Sequence, residues 1–222
     1  MSEIIAIIDP PYGISVVGGS KSFGSVGGSN IVSANRYSSI IGDDTTETAK
    51  KIYNLLTNIG VTKCVIWGGN YFTDFLPPSR CWIVWDKKER DWKDNFSDFE
   101  MAWTSFNSPS KIIRHTWMGM IQKGEREKRV HPTQKSAEMI AEVIKMFSAE
   151  DDFILDLFGG SGSTLIACEK TNRQCFMMEI DPIYIDICVI RWINYMIKND
   201  KKNEIMIKCN DKSIDYRELS DI

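Results

Sequence analysis

The chain has 222 residues, of which 43% are apolar and 26% are charged, close to the average for a globular domain. This composition excludes a disordered or fibrous protein, and we expect one domain with a single core. No apolar run approaches the length of a membrane span, and the first residues do not resemble a secretion signal. Six scattered cysteines without a Cys-x-x-Cys pair predict reduced thiols in a cytoplasmic protein.

The net charge of −3 is unevenly distributed along the chain. Residues 108–135 carry seven basic and two acidic side chains, whereas the segments before and after them are both net acidic. A net acidic chain argues mildly against a nucleic-acid partner, because domains that bind nucleic acid are often basic. If such a partner exists, the basic segment is where we expect contact.

Apolar runs and helical periodicity alternate along the chain. They predict strands over residues 4–8, 63–67, 81–85, 99–105, 111–117, 153–158, 174–179 and 204–208. Helices are predicted from residue 49 to a stop at Gly60, over 133–147 and 163–170, and from Asp181-Pro182 onward. Strands that alternate with helices indicate an α/β protein with a mostly parallel sheet. The strands 81–85 and 99–105 are expected to pair antiparallel at one edge.

The first predicted strand is followed by Asp9-Pro10-Pro11-Tyr12, at the carboxyl end where α/β proteins bind ligands. One interpretation is a simple turn, since Asp and Pro are turn residues. The other interpretation is chemical. The two prolines stiffen the backbone and hold the Pro10 carbonyl beside the Asp9 carboxylate, so that two acceptors face one exocyclic amino group. Tyr12 then offers a flat ring on which a base can stack.

A second strand end carries a glycine loop. Gly159-Gly160-Ser161-Gly162 follows the strand 153–158 and leads into a helix, and Glu179 ends the next strand. This order is typical of a site for a nucleoside-bearing cofactor, in which the acid binds the ribose hydroxyls. A second glycine-rich stretch, residues 18–22, lacks the Gly before Lys that a phosphate-binding loop requires. We interpret residues 13–37 as a surface loop.

Three motifs together resemble those of amino-group DNA methyltransferases. They are Asp9-Pro10-Pro11-Tyr12, His131-Pro132-Thr133-Gln134-Lys135 and Asp156-Leu157-Phe158-Gly159-Gly160-Ser161-Gly162. Their order resembles the permuted β class, and residues 82–87 and 96–100 resemble segments of compact phage adenine methyltransferases. The resemblance covers nearly the whole chain. It implies a Rossmann-like S-adenosylmethionine-dependent methyltransferase fold, with a mostly parallel sheet of the seven-stranded type and an antiparallel edge.

The resemblance implies transfer of a methyl group from S-adenosylmethionine to the N6 amino group of adenine in DNA. Family members with Asp in the first position of the catalytic motif are typically adenine-specific. Asp9, Pro10, Pro11 and Tyr12 would form the catalytic pocket, into which similar enzymes extrude the target base. The resemblance implies a cofactor site made of Asp156, Phe158, Gly159, Gly160, Ser161, Gly162, Glu179, Asp181, Thr133 and Lys135. Helix capping already accounts for Asp181, and Thr133 to Lys135 would close over the methionine end.

We expect DNA recognition in residues 108–130, between a catalytic half (1–107) and a cofactor-binding half (131–222) of one domain. The candidates for contacts to phosphates or guanine edges are Lys111, Arg114, Lys123, Arg126, Lys128 and Arg129. For residues 123–129, which also contain two glutamates, an ordinary solvated face is an equal alternative. Trp92 is a further candidate for stacking on DNA. So small a basic segment predicts weak, salt-sensitive non-specific binding.

The expected partner is double-stranded DNA in a prokaryotic or phage-infected cell, without a metal ion or a membrane. A homodimer is left open. A DNA cytosine-N4 methyltransferase uses the same geometry, although Asp9 disfavours it. Methylation of RNA or of protein glutamine is disfavoured by the motif order and the basic segment. A cofactor-binding DNA module without catalysis is disfavoured by the intact catalytic motif.

Overall fold

The structure is a computed structural model that describes residues 2–15, 40–88, 97–118, 121–122, 130–131 and 133–219. The described residues form eleven strands and four α-helices. The strands are β1 (Ile4–Ile8), β2 (Lys63–Trp67), β3 (Trp82–Asp86), β4 (Phe99–Thr104), β5 (Lys111–Arg114), β6 (Trp117–Met118), β7 (Ile121–Gln122), β8 (Phe153–Asp156), β9 (Gln174–Met177), β10 (Ile207–Cys209) and β11 (Lys212–Ile214). The helices are α1 (Glu47–Asn58), α2 (Ala137–Phe147), α3 (Ser163–Thr171) and α4 (Pro182–Lys198).

Seven strands form the main sheet in the order β5-β3-β4-β2-β1-β8-β9. Neighbours are parallel except at β4, which runs antiparallel to both β2 and β3. The predicted α/β class, the mostly parallel sheet and the antiparallel pairing toward one edge are confirmed. The β1 strand lies next to β8, about 150 positions later in the sequence, because Ile4, Ile5 and Ala6 pair with Phe153, Ile154 and Leu155.

Helices cover both faces of the sheet at β1. Ile5 and Ile7 point into a core covered by α2 and α3, whereas Ala6 and Ile8 point into a second core beneath α1. All four side chains are at most 1% exposed. Burial of one such isoleucine contributes about 1.5–3 kcal/mol, so β1 is firmly held and provides a rigid base for the residues that follow it.

The bounds of β1 and β2 are those predicted, and α4 begins as predicted, with Asp181 accepting a hydrogen bond from the backbone N–H of Ile183. The helix predicted over 133–147 instead begins at Ala137. Ser136 has an extended backbone, and its hydroxyl accepts a hydrogen bond from the N–H of Met139, so it caps the helix. Residues 133–135 therefore precede α2, which frees their side chains for other contacts.

Four other predicted strands differ from the structure by two residues or more. The strands β8 and β9 each end two residues earlier than predicted. The segment 111–117 divides into β5 and β6, and the strand predicted at 204–208 is found at Ile207–Cys209, where it pairs with β11 instead of joining the main sheet. Asn210 and Asp211 both have positive φ, 49° and 64°, as a tight two-residue hairpin turn requires. They form the tight turn that connects β10 and β11.

Among the described residues, no helix is long and apolar enough to cross a membrane, and no group of three or more His, Cys, Asp and Glu could hold a metal ion. Most of the loop predicted over residues 13–37 lies outside the described residues, as does Trp92.

Candidate active site

The catalytic motif and the glycine loop follow neighbouring strands of the sheet. Asp9 is the first residue after β1, and the loop from Phe158 to Gly162 follows β8. From this pair the chain continues outward in opposite directions, to β2 on one side and to β9 on the other. Such a reversal of strand order opens a crevice at the carboxyl ends of the strands, which is where open α/β sheets bind ligands. The two predicted motifs therefore meet at one crevice.

The turn after β1 is held from two sides. The carboxylate of Asp43 accepts hydrogen bonds from the backbone N–H groups of Tyr12 and Gly13, at 3.0 and 3.1 Å. The Tyr12 hydroxyl donates to Oδ1 of Asp9 at 2.7 Å. Burial, together with the negative charges of Asp9 and Glu100, raises the pKa of Tyr12 well above its usual value. Tyr12 therefore keeps its proton and acts as a donor to Asp9.

Aromatic residues that follow β2 pack around the Tyr12 ring. Tyr71 stacks on it with ring centroids 5.2 Å apart and planes inclined by 19°, and Phe72 meets it edge-on. Gly68 lies against the same ring. A Cβ atom at that position would be 2.3 Å from Cε1 of Tyr12, and the φ of Gly68 is +70°. Position 68 needs glycine, because a Cβ would both collide with the Tyr12 ring and strain the backbone. The residue directly after β2 therefore limits where the Tyr12 ring can lie.

Lys135 lies at the catalytic motif. Its Nζ is 2.5 Å from Oδ2 of Asp9, 3.3 Å from the Tyr12 hydroxyl and 3.4 Å from Oε2 of Glu100. Glu100 in turn accepts a hydrogen bond from Lys87 at 3.0 Å. In this structure the ammonium group of Lys135 contacts Asp9, and the chain from 133 to 135 precedes α2 instead of lying within it. That Lys135 closes over the methionine end of a cofactor stays a prediction.

The charges in this cluster stabilise one another. Burial alone would lower the pKa of Lys135, but the carboxylates of Asp9 and Glu100 outweigh that effect and raise it. Burial alone would raise the pKa of Glu100, but the ammonium groups of Lys135 and Lys87 lower it. Lys135 and Glu100 are consequently both charged at neutral pH, as a buried ion pair requires.

The glycine loop is held by backbone contacts and by α4. The N–H of Gly159 donates to the carbonyl of Met178 at 2.8 Å, and the guanidinium of Arg191 donates to the carbonyl of Ser161. Gly162 has a φ of +81°, and a Cβ there would be 2.4 Å from Sγ of Cys188. A side chain at Gly162 would therefore force the loop away from α4.

Glu179 faces the glycine loop from the end of β9. One of its carboxylate oxygens accepts from the N–H of Gly160 at 2.6 Å, and the other accepts from the N–H groups of Ile180 and Asp181. A carboxylate offers about four acceptor positions, so these three bonds leave room for one more donor. Asp181 is occupied as the N-cap of α4, as expected.

His131 and Thr133 lie over the glycine loop. The N–H of Thr133 donates to Nδ1 of His131 at 3.2 Å, and the His131 ring meets that of Tyr184 edge-on at 4.4 Å. A Cβ built on Gly160 would lie 3.8 Å from Nε2 of His131. Burial lowers the pKa of His131, although Asp9 and Glu179 oppose that effect. The structure therefore brings Thr133 close to the predicted cofactor loop.

The Asp156 side chain hydrogen-bonds to the backbone at the start of the glycine loop. Its carboxylate is buried and accepts from the N–H of Phe158 at 2.9 Å and from the Thr164 hydroxyl. Burial raises its pKa to about 6, although those two hydrogen bonds oppose the change. Its surroundings are those of a residue that shapes the turn.

Asp156→Asn is expected to gain about 1.4 kcal/mol of stability relative to the parent protein as the pH rises from 5 to 8. A carboxyl with a raised pKa keeps its proton in the folded state after the unfolded chain has lost it. Its contribution to stability is therefore fully present below about pH 4 and is lost as the pH rises through about 6. Urea unfolding of both proteins at each pH measures the difference. Parallel pH profiles would contradict the raised pKa.

Two of the six basic DNA-binding candidates lie on β5. Arg114 is exposed at its carboxyl end, on the same edge of the sheet as Asp9, with Nε 3.9 Å from the carboxylate of Asp86. Lys111 is exposed at the other end, about 10 Å away along the strand. The other four candidates, Lys123, Arg126, Lys128 and Arg129, lie outside the described residues.

Sequence reasoning gave no role to Glu100, Lys87 or Tyr71, which the structure places around Asp9 and Tyr12. One signal was available for Tyr71. It lies four positions after the end of β2, just as Tyr12 lies four positions after the end of β1. For Glu100 and Lys87 we find no comparable signal, because their place in the site depends on Lys135, which reaches Glu100 from much later in the chain.

Part of the chain is similar in sequence to known DNA methylases. Residues 82–189, just under half of the chain, match the DNA methylase family N6_N4_Mtase. The type II methyltransferase M2.LlaDCHI of Lactococcus lactis subsp. cremoris is 28% identical over 106 residues, which are 47% of this chain and 39% of that protein. M2.MboI of Moraxella bovis is 27% identical over 139 residues, 61% of this chain and 50% of that protein. The matches thus span half or less of these relatives.

Two solved structures resemble the chain along most of its length. The M1.HpyAVI–SAM complex has a TM-score of 0.55 at 20% identity and covers 86% of this chain and 89% of its own. The cytosine-N4-specific PvuII DNA methyltransferase has a TM-score of 0.54 at 13% identity, covering 99% and 84%. These likenesses show the fold, which is that of S-adenosylmethionine-dependent DNA methyltransferases. Neither these likenesses nor the family match distinguishes N6 from N4 amino groups as the methyl acceptor.

Proposed function

We propose that the protein transfers a methyl group from S-adenosylmethionine to the N6 amino group of adenine in DNA. One observation carries this proposal: the Asp9-Pro10-Pro11-Tyr12 turn and the glycine loop follow the adjacent strands β1 and β8 and face a common crevice. A donor and an acceptor of a methyl group must meet at such a point, because transfer requires them to be in line and in contact. The order of the two motifs along the chain supports the permuted β class.

The residues present fit the cofactor. The glycine loop lets a ligand approach its backbone closely, and Glu179 retains room for a ribose hydroxyl. Ile180, directly after it, is 74% exposed and offers an apolar surface for a purine ring. When bound, S-adenosylmethionine would supply an electrophilic methyl group. Thr133, beside His131 above the loop, would help to enclose the methionine end.

The residues around Asp9 suit an amino-group acceptor. An exocyclic amino group has two N–H bonds, which the Asp9 carboxylate and the Pro10 carbonyl would accept. That arrangement draws the nitrogen lone pair out of conjugation with the ring and exposes it for attack. Tyr12 and Tyr71 form an aromatic pair beside Asp9 that would stack on the extruded base, and each stacked base contributes about 1–3 kcal/mol. Catalysis then rests on positioning and electrostatics.

Transfer to the N4 amino group of cytosine is the second candidate. A cytosine-N4-specific enzyme has a similar fold, and the same pair of acceptors would hold that amino group. Asp in the first position of the catalytic motif supports adenine. The test is to incubate the protein with labelled S-adenosylmethionine and duplex DNA of varied sequence and then to digest the DNA to nucleosides. Label in N6-methyldeoxyadenosine supports the proposal, label in N4-methyldeoxycytidine supports the second candidate, and no label in DNA contradicts both.

We further propose that Arg114 contacts a DNA phosphate, because it lies on the catalytic edge of the sheet. Arg114→Ala is expected to reduce the slope of log Kobs against log salt concentration by about 1, since one lost phosphate contact releases about one fewer counterion. Filter binding or anisotropy with a short duplex measures this slope. Lys111→Ala, which removes the same charge from the far end of β5, is the matched control. If both variants lower the slope equally, β5 contributes only general charge.

A further inference from the structure

The ammonium group of Lys135 belongs to a row of alternating charges beside the catalytic motif. The chain runs from Lys87 through Glu100 and Lys135 to Asp9, with successive N–O distances of 3.0, 3.4 and 2.5 Å. The Lys135 side chain is only 8% exposed, whereas those of Asp9 and Glu100 are 25% and 28% exposed. The cation thus lies beneath two carboxylates that remain open toward the crevice.

The position of Lys135 is unfavourable for stability alone. A buried ammonium loses its hydration, and the attraction of its partners often does no more than offset that loss. Lys135 also directly precedes Ser136, the N-cap of α2, where the helix dipole disfavours a positive charge. A residue that breaks a local rule in this way is commonly retained for a functional reason.

The backbone of Lys135 is tied to the glycine loop. Its carbonyl accepts a hydrogen bond of 2.7 Å from the hydroxyl of Ser163, the residue directly after Gly162. On the other side, the carbonyl of Gln134 accepts a hydrogen bond from Nε1 of Trp117 at 2.8 Å. The lysine therefore connects the two halves of the proposed site, with its main chain on the cofactor loop and its side chain on the catalytic carboxylate.

The contacts of Asp9 follow from this arrangement. Lys135 holds Oδ2 and the Tyr12 hydroxyl holds Oδ1, so the carboxylate cannot rotate. Each ionised oxygen has two acceptor positions, and each keeps one for an incoming N–H group. A carboxylate without these two donors would have to be ordered by the substrate itself, at a cost in rate.

We propose that Lys135 is a positioning residue, whose ammonium group orients the Asp9 carboxylate for the target amino group and couples it to the glycine loop. This inference rests on the proposed function and deepens it. It assigns Lys135 to the catalytic carboxylate, although its motif suggested the cofactor site. Glu100 serves as the counter-ion that keeps the ammonium in place.

The test compares Lys135→Met, which keeps the length of the side chain, with Lys135→Arg, which keeps its charge. For each variant one measures the single-turnover rate on a duplex at saturating S-adenosylmethionine and the Kd of that cofactor. Lys135→Met is expected to lose about 100-fold in rate with a Kd within about threefold of the parent value, since misplacing a reacting group costs about that much. The single-turnover rate of Lys135→Arg is expected to be at least tenfold higher than that of Lys135→Met. Lys201→Met is the control. It removes another lysine that forms an ion pair, in this case with Glu169 at an N–O distance of 2.8 Å, and that pair is not part of the cluster around Asp9.

The outcomes separate the alternatives. A weaker cofactor Kd with a full rate at saturation would assign Lys135 to the cofactor and overturn the inference, as would an unchanged rate. If Lys135→Met does not fold, Glu100→Gln is assayed instead, and a rate equal to that of the parent overturns the inference. If the parent protein itself methylates no DNA, the proposed function fails and this inference fails with it. An active parent with an equally active Lys135→Met overturns the inference alone.

Discussion

Asp9→Asn is expected to lower the single-turnover rate of methyl transfer by about 1,000-fold, while the Kd of S-adenosylmethionine stays within about tenfold. The substitution keeps the size of the side chain and replaces one acceptor oxygen with an NH2 group. That group repels the incoming N–H of the substrate and cannot accept the hydrogen bond of Lys135 or Tyr12. The cofactor loop follows a different strand, so its backbone contacts remain. Rapid quench of a labelled reaction gives the rate, and calorimetry gives the Kd.

Asp152→Asn is the matched control for this experiment. Like Asp9, Asp152 is a carboxylate that accepts two hydrogen bonds, here from the N–H groups of Glu3 and Ala149. It precedes β8 and so lies at the opposite edge of the sheet from Asp9. An amide oxygen can still accept one of its backbone hydrogen bonds, and the rate is expected to stay within about threefold. If Asp9→Asn retained the activity of this control, the assignment of Asp9 would be wrong.

Gly68→Ala is expected to lower the rate by about 100-fold, because its methyl group cannot fit beside the Tyr12 ring. A Cβ at position 68 would lie 2.3 to 2.7 Å from three carbons of that ring, so the ring must move. Tyr12 would then lose its hydrogen bond to Asp9 and its stacking on Tyr71. The positive φ also costs about 1–2 kcal/mol of stability for a residue with a Cβ. Single-turnover kinetics and thermal unfolding are measured together.

Gly60→Ala separates the two effects of that change. Gly60 has a φ of +81°, and a Cβ there meets no atom within 4 Å. The control therefore carries a similar backbone cost without any steric contact, and we expect a similar loss of stability with an unchanged rate. A Gly68→Ala protein that is as active as Gly60→Ala would show that the position of the Tyr12 ring does not matter for transfer.

Much of the fold could be predicted because its signals are local. Strands covered by helices on both faces read as continuous apolar runs, which is why the bounds of β1 and β2 were predicted correctly. The start of α4 was equally clear, since an Asp followed by Pro both caps a helix and begins it. The beginning of α2 was misplaced for a local reason too. The cap is Ser136, and the apolar pattern extended the predicted helix N-terminally past it.

By itself, the sequence predicted the fold class and the strand ends that carry Asp9 and the glycine loop, and it suggested the amino-group chemistry that we propose. Those properties follow from residue types and spacings within a few positions. Only the tertiary structure decided that Lys135 meets Asp9, 126 positions away, and that Glu100 and Tyr71 complete the cluster. The physical reason is that charge pairing and ring stacking depend on which strands lie side by side. The pairing of β1 with β8 and the antiparallel insertion of β4 are decided by the packing of the whole chain.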